Sequence, residues 1–440
     1  MGEKLKWGLA SATCAIILIA VPEVNNLAVK IKNQLPEELV EFMRLAGELT
    51  QKRGQKLYLV GGVVRDLLLE RENFDLDLVV EGDAIALAQE LAEAKKCKLV
   101  THQRFGTAKL TWEGGSADLA TARSETYARA CALPTVNPST IREDLFRRDF
   151  TINAMAVELN PGLYGRLLDL YGGLADLNGK LVRVLHEKSF IDDATRIWRA
   201  IRYEQRLDFQ LEPETLGLVK RDADYLKKVS GDRIRHELEM IFQEAYPEKA
   251  LRRAGELGVL GKLHPKLKAD DWLSARYEQA RKRSSPDAPS VGLYLALLAY
   301  RMKPDEVEEL VSYLRLRRST ARTVLGAVGL KADSEHLASP QITSGQVYTR
   351  LVGYPVEAVV VTIIAGEIPG AVHRLNEFLS RLRYIRPALN GEDLQRLGVA
   401  TGPEIKDILN RLLEARLDGK AATKRDEEVL VLNWLAEKGT

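Results

Sequence analysis

Asp75 and Asp77 close the run Leu57 to Val80, Leu-Tyr-Leu-Val-Gly-Gly-Val-Val-Arg-Asp-Leu-Leu-Leu-Glu-Arg-Glu-Asn-Phe-Asp-Leu-Asp-Leu-Val-Val. Two aspartates separated by one residue, opening an apolar stretch, share one face of a strand because successive side chains alternate sides. Paired carboxylates are hard oxygen donors suited to a divalent cation. Upstream, Gly61-Gly62 breaks the short buried strand expected over Leu57–Val60, where the backbone must turn tightly or let a ligand approach closely. Val63–Glu70 then reads as a short helix whose first amides could hold a phosphate. Carboxylates for a cation beside a turn for a phosphate make a site for a divalent metal and a nucleoside triphosphate. The competing reading is two surface aspartates beside an ordinary glycine turn.

The elements that must carry these residues are legible around them. Leu35–Gly54 has the pattern of an amphipathic helix leading into the run, Leu78–Val80 continues the strand that Asp75 opens, and Ala84–Lys96 is a helix rich in Ala, Leu and Glu. Lys98–Thr101, Thr107–Trp112 and Ser116–Ala120 read as strands. The first part is therefore α/β, a small mixed β-sheet with flanking helices. From Phe190 onward the pattern is helical, with no sustained period-2 segment. Arg283–Ser290 and Ile385–Gly391 are the internal breaks by their Ser, Pro and Gly content, and neither a repeat nor a low-complexity tract occurs. The expected division is an N-terminal extension and leading helix over 1–54, a head over 55–180, a neck over 181–245, a helical body over 246–385 and a helical tail over 386–440.

Composition limits the choices without making them. A chain of 440 residues holds about two to four structural units. With a formal net charge of +2, any nucleic-acid surface must be a local basic patch, and Arg and Lys are dense between Arg183 and Arg253. The cysteines Cys14, Cys97 and Cys131 have neither metal spacing nor a disulfide framework, which points to a reduced, cytoplasmic setting. The six histidines are scattered and form no metal cluster. Lys4-Leu-Lys6 precedes an apolar stretch, Trp7–Val21, that falls short of the roughly 20 residues of a spanning helix. No small-residue cleavage pattern is clear, so the expectation is an extension that packs locally or is partly disordered, with no stable membrane association.

Three further blocks follow in order: Arg147-Arg-Asp-Phe-Thr-Ile-Asn-Ala-Met-Ala156, Asp169-Leu-Tyr-Gly-Gly-Leu-Ala-Asp-Leu177, and Asp192-Asp-Ala-Thr-Arg-Ile-Trp-Arg-Ala-Ile-Arg-Tyr203. Together with the first run they resemble the class II tRNA nucleotidyltransferase and bacterial poly(A) polymerase family of the polymerase-beta superfamily. The resemblance is close from Leu57 to Pro265 and looser beyond. It implies a nucleotidyltransferase head followed by an all-α neck, body and tail. It also implies template-independent addition of C and/or A to tRNA 3′ ends from CTP and ATP, with Mg2+, a two-metal-ion mechanism and release of pyrophosphate.

The same resemblance assigns expected roles. Asp75 and Asp77 match the metal-binding pair, and Asp118 is placed as a third carboxylate on an adjacent strand, or is a plain edge-strand aspartate. Gly61 and Gly62 would bring backbone to the triphosphate and Arg65 would add a charged contact, with Asp66 equally readable as a structural partner. Arg148 resembles the nucleotide-contacting arginine. Asp149 and Asn153 lie on one face if their segment is helical, and could hold the ribose hydroxyls; the other reading of Asn153 is structural. Asp169 and Gly172-Gly173 look like hinge elements.

Asp193, Arg196, Arg199 and Arg202 recur at three-residue spacing, as if along one helix. A carboxylate accepts from an exocyclic amino group and a guanidinium donates to a ring nitrogen, so one Asp/Arg pair admits C and A and rejects U and G. Asp193 and Arg196 are the expected pair, with Arg199 and Arg202 on phosphates or supporting the pocket; the plainer reading is a basic helix with solvated charges. One departure stands out, since Asp192 occupies the position where the family usually has Glu.

The run Gly391–Leu409 resembles the tail of tRNA-adding members, either an RNA contact or a helix-packing unit. Three alternatives to full CCA addition stay open. One is a partial enzyme adding only CC or only the terminal A, on which Ser124–Thr140 bears. Another is a bacterial poly(A) polymerase, whose arginine-rich stretch is not evident around His102–Trp112. The last is a catalytically silent RNA-binding module, against which the intact Asp75/Asp77 pair argues.

Overall fold

A computed structural model describes residues 26–438; the apolar stretch Trp7–Val21 and Cys14 lie outside the described residues. The chain divides into two compact units, one made of residues up to Thr126 with Pro134–Gly179, the other of Tyr127–Leu133 with Lys180 onward.

The first unit is built on a seven-stranded sheet. Helices α1 (Ala28–Gln34) and α2 (Glu37–Lys52) lead into strand β1 (Lys56–Val60), helix α3 (Gly62–Leu68), strand β2 (Leu76–Glu81) and helix α4 (Ala84–Lys95). Strands β3 (Lys98–His102), β4 (Thr107–Trp112) and β5 (Gly115–Thr121) follow, then the separate hairpin β6 (Arg123–Thr126) and β7 (Thr135–Pro138). Helix α5 (Ile141–Phe146), strands β8 (Met155–Glu158) and β9 (Leu167–Asp169) and helix α6 (Gly173–Asn178) complete it. The strand order is β3-β4-β5-β2-β1-β8-β9, with β2 and β5 parallel and the other pairs antiparallel.

Each position in the sheet follows from residue pattern. Leu57, Tyr58, Leu59 and Val60 are all buried, which suits a central strand covered on both faces. Strand β3 exposes Lys98, Val100 and His102 in alternation, as a half-solvated edge does. Leu39, Phe42, Met43 and Ala46 form the buried stripe of α2, and the Phe42 ring stacks on Trp112 with centroids 4.5 Å apart. The leading helix thus belongs to the head rather than standing apart from it.

One local expectation is corrected. Asp149–Asn153 is not a helical face: Phe150 is extended (φ −136°, ψ 151°), Thr151–Asn153 is a single 3-10 turn, and β8 begins at Met155. The helix is forgone because β8, buried at every position, pairs with β1 and extends the sheet. The hairpin β6–β7, which spans most of Ser124–Thr140 and starts at Arg123, had no counterpart in the sequence pattern.

The second unit is almost wholly helical; Leu181–Val182 and Gln210–Leu211 pair as a two-stranded parallel ladder. Helices α7 (Ser189–Asp192), α8 (Thr195–Leu207), α9 (Pro213–Asp222), α10 (Gly231–Phe242) and α11 (Pro247–Glu256) come first, and helices continue to Lys438. Ile197, Trp198 and Ile201 bury one face of α8, and Val291–Ala299 is buried apart from its first residue. The break expected at Arg283–Ser290 is the connection between the helices Asp271–Ser284 and Val291–Ala299, with Ser290 capping the second.

Near the C-terminus, Leu389, Leu394, Val399, Ile408, Leu412 and Val431 form a hydrophobic cluster. The fully buried Glu427 carboxylate accepts from the Ala388 and Leu389 amides and from Arg416. The observed class, a mixed sheet with flanking helices followed by helices, is the one expected. Among the described residues no single helix is long and apolar enough to cross a membrane; the pair Ser344–Leu351 and Val356–Ala365 passes that test together, bent by 114°.

Candidate active site

In the sheet unit, parallel pairing sets Asp77 of β2 directly beside Asp118 of β5. Partners in register point to the same face, so backbone hydrogen bonding fixes the two carboxylates as neighbours. Asp75 precedes β2, and its amide donates to Asn73 Oδ1 at 3.0 Å. Lys109 of β4 faces Asp118 in the next pair, with Nζ 2.8 Å from Asp118 Oδ2, and both side chains are half-exposed.

The Asp77 carboxyl lies above the ordinary carboxylate range although its side chain reaches solvent. Loss of hydration against the surrounding protein is the main cause; Arg148 opposes it, and the charges of Asp118 and Asp75 add to it. A cation would relieve that crowding.

Gly61 adopts φ 78°, a conformation that disfavours any side chain. A Cβ there would stand 3.1 Å from Arg148 Nη1 and 3.5 Å from Asp77 Oδ2. The β1–α3 turn, Arg148 and Asp77 therefore meet, and the position needs glycine for both conformation and space. Arg148 is held from behind: Nη2 donates to Asp144 Oδ2 at 3.0 Å, while Arg147 donates to Asp144 Oδ1 at 2.7 and 3.0 Å. Burial pushes the Asp144 carboxyl up, but Arg148 and Arg147 together outweigh this and hold it below its ordinary range.

Arg65 takes a place other than the one expected. It is 2% exposed; Nε and Nη2 grip both oxygens of Asp66 at 2.9 and 2.8 Å, and Nη1 donates to Asn153 Oδ1 at 2.6 Å. Asn153 Nδ2 donates to Asp149 Oδ1 at 3.1 Å, and Asn73 Nδ2 donates to Asp66 Oδ2 at 2.7 Å. A buried chain Asp149–Asn153–Arg65–Asp66 thus continues through the half-buried Asn73 to the amide of the exposed Asp75. Gly62 packs against this chain, a Cβ there lying 3.4 Å from Arg65 Nη2. Arg65 supports the strand that carries the carboxylates, and a guanidinium so enclosed is not presented to a triphosphate.

In the helical unit, Asp193 is not on the helix with the arginines. It is the extended residue (φ −144°, ψ 97°) between α7 and α8. Its Oδ1 accepts from the Thr195 amide at 3.0 Å and the Thr195 hydroxyl at 2.7 Å, and Arg233 Nη2 stands 2.7 Å from it as an ion pair. The short polar side chain closes a turn on its own backbone, which starts α8 two residues later than the spacing suggests. Arg196 is buried, with Nη1 donating to Ser189 Oγ at 2.8 Å. Arg199 Nη1 lies 3.9 Å from Glu237 Oε1, and the buried Arg202 lies 3.4 Å from Glu244 Oε1. A basic helix with solvated charges is therefore excluded for Arg196 and Arg202.

Sequence reasoning missed Lys109, Asp144, Arg233 and Glu237. Asp144 carried a signal, standing three and four residues before Arg147 and Arg148. Lys109 and Arg233 meet their partners only through the fold. Cys97 and Cys131 are free thiols.

Among the described residues no three His, Cys, Asp or Glu side chains converge as a ready-made metal cage. The donor set nevertheless fits magnesium, which takes one or two carboxylates, water and substrate phosphates rather than an all-protein shell.

Residues 57–183 match the Poly A polymerase head domain family, and residues 208–271 match the family described as the probable RNA and SrmB- binding site of polymerase A. The chain is 35% identical over 433 residues to the A-adding tRNA nucleotidyltransferase of Geobacter sulfurreducens, covering 92% of this chain and 48% of that protein. It thus spans about half the length of that relative. It is 31% identical over 410 residues to the A-adding tRNA nucleotidyltransferase of Halalkalibacterium halodurans, covering 91% of this chain and 94% of the relative. The solved structure of the Thermotoga maritima CCA-adding enzyme complexed with tRNA is similar with a TM-score of 0.73 at 32% identity, covering 93% of this chain and 98% of that one. With the carboxylate strand pair, the glycine turn and these likenesses together, the chain belongs to the family of tRNA nucleotidyltransferases and poly(A) polymerases.

Proposed function

We propose that this protein is a template-independent nucleotidyltransferase that extends tRNA 3′ ends from ATP and CTP. The observation that carries the reading is the register of Asp77 beside Asp118, with Gly61 and Arg148 against the same carboxylate. Asp75 and Asp77, with Asp118 as the third carboxylate, are the residues for Mg2+, which when bound neutralises phosphate charge and lowers the pKa of the attacking hydroxyl. Around it the chain's own groups position the reactants. The Gly61 turn admits the triphosphate backbone to backbone, and Arg148, braced by Asp144, donates to it. Asp149 and Asn153 stand at the ribose, kept in place by Arg65. The RNA 3′-hydroxyl then attacks the α-phosphate in line with departing pyrophosphate.

In the helical unit Asp193 and Arg196 are the base-reading pair, Asp193 accepting from the exocyclic amino group of adenine or cytosine. Arg199 and Arg202 support that helix through Glu237 and Glu244. The helical unit and the Gly391–Leu409 tail grip tRNA through its phosphates, and the cytoplasm is the location where these substrates occur together.

A narrower reading, addition of the terminal A alone, is favoured by the two A-adding relatives, which align with 92% and 91% of the chain. The test offers CTP or ATP singly to transcribed tRNAs ending at the discriminator base, at C and at CC. The A-adding reading expects extension only of the CC-ended tRNA, and only with ATP. Extension of the shorter tRNAs with CTP overturns it in favour of CC or CCA addition, long untemplated A tails point to a poly(A) polymerase, and no incorporation under any condition overturns the enzymatic reading.

A further inference from the structure

Helix α10 meets α8 through a row of opposite charges. Arg233 and Glu237 are four residues apart on α10 and share a face. Arg233 reaches Asp193 at the entry to α8, and Glu237 reaches Arg199 within it. The two contacts differ in kind. Arginine side chains on α8 are long and meet their acids with slack, whereas Asp193 is short, lies where the backbone leaves helical geometry, and is fixed by its hydrogen bonds.

Among the described residues the contacts of Asp193 fall on one oxygen, Oδ1: two hydrogen bonds that it accepts and the ion pair with Arg233 Nη2 at 2.7 Å. Two of them come from Thr195, two positions along the same chain, and follow wherever the turn goes. Arg233 arrives from a different helix and so fixes how the carboxylate is rotated. Its guanidinium is anchored in turn, with Nη1 donating to the Cys131 carbonyl at 3.4 Å. The Cys131 amide donates to the Ile191 carbonyl at 3.0 Å, two residues before Asp193. Asp193, Arg233, Cys131 and Ile191 therefore close a ring, and the Asp193 carboxylate is held with Oδ2 as the oxygen left for a ligand.

We infer that Arg233 is a positioning residue for base selection: by pinning Oδ1 of Asp193 it presents Oδ2, in one orientation, to the exocyclic amino group of the incoming base. The inference rests on the reading of Asp193 as the base acceptor. Without Arg233 the carboxylate turns about its Cα–Cβ bond and can meet the ring N–H of uracil or guanine as readily as an amino group. Selectivity then falls more than catalysis does.

The test measures kcat and KM for all four nucleotides on an extendable tRNA, for the parent, Asp193→Ala, Arg233→Ala and Arg233→Lys, with a melting curve for each. Arg233→Ala is expected to lose about tenfold in its preference for the natural nucleotide over GTP and UTP, mainly through KM. Arg233→Lys, which keeps a cation within reach of Oδ1, is expected to recover most of it. Arg233→Ala at the parental ratio, an equal loss for all four nucleotides, or a lysine variant no better than alanine would each overturn the inference. A preference abolished in Asp193→Ala but intact in Arg233→Ala removes the inference alone. A parent that does not discriminate among nucleotides removes the Asp193 reading and the inference with it.

Discussion

The two units hold their carboxylates by opposite means. In the sheet unit, Asp77 and Asp118 reach solvent and are set side by side by the β2–β5 ladder. Side-chain support lies behind them, in the hydrogen-bonded chain that runs from Asp149 to Asn73. In the helical unit, Asp193 has no ladder to fix it. It sits at a break between helices and is held by two hydrogen bonds from Thr195 and an ion pair with Arg233. Neutralising phosphate charge is the same task for every nucleotide, and Coulomb attraction weakens only gradually with distance. Telling an amino group from a ring N–H depends on hydrogen-bond direction, which is lost within a few tens of degrees. A strand pair suffices for the first task; the second needs bracing from several sides.

The contrast is broken most severely at Asp77. Asp77→Asn should lower nucleotide incorporation at least about a thousandfold, because a charge that stabilises the transition state is gone. Its folded-state carboxyl titrates above the ordinary range, so in the ionised form it weakens the fold as pH rises past the unfolded value. The neutral variant should therefore melt at or above the parent's temperature at pH 7. Incorporation within about tenfold of the parent, or a clear drop in Tm, would count against the assignment.

Asp144 sharpens the picture of the sheet unit, since it braces Arg148 rather than facing substrate. Arg148 and Arg147 overcome burial and hold its carboxyl below the ordinary range. Its ionised form thus stabilises the fold above about pH 4, and that stabilisation is lost as pH falls through the folded-state value. Asp144→Asn should cost about 3 kcal/mol at neutral pH, because it removes a buried charge paired with both Arg148 and Arg147, of which Arg147 keeps Glu125. The gap between parent and variant should close on acidification below about pH 4. Parallel Tm curves across the acid range would show that the arginines do not depend on this charge.

A smaller effect is expected at Asp193. Asp193→Ala should reduce discrimination against UTP and GTP by about ten- to a hundredfold, the worth of a hydrogen bond to a charged group. It also removes the acceptor for the Thr195 amide, so Tm should fall, by about 1 kcal/mol of stability. Function and stability decline together here, where at Asp77 they part. If all four nucleotides lose efficiency equally, base selection is carried by other residues.

What the sequence revealed and what it hid follow one physical line. The strand carrying Asp77 and the Gly61-Gly62 turn were legible because apolar runs and glycine breaks act within a few residues, whereas Asp75, expected to open that strand, precedes it. Strands β3, β4 and β5 appear within about two residues of their expected limits for the same reason. Arg65 was read as a ligand contact because its surroundings depend on Asn153, 88 positions away in the chain. Asp149 and Asn153 do meet, but through a 3-10 turn, since pairing of β8 with β1 overrides the helical spacing. The regular spacing from Asp193 to Arg202 suggested one helix, and the aspartate's own hydrogen bonds to Thr195 delay its start.

The segment Tyr127–Leu133 folds with the helical unit although strands β6 and β7 on either side of it belong to the other. The backbone therefore passes between the units three times, after Thr126, after Leu133 and after Gly179. The head is for this reason not a portable cassette. Grafted as the continuous stretch from 55 to 179, it would carry away a loop whose partners Ile191, Tyr225 and Arg233 stay behind. In recombination between related genes, a crossover at the later joint would separate Cys131 from the helices it is fitted to. In its packing that hairpin tip belongs with the C-terminal half of the chain, not with the strands beside which it is written.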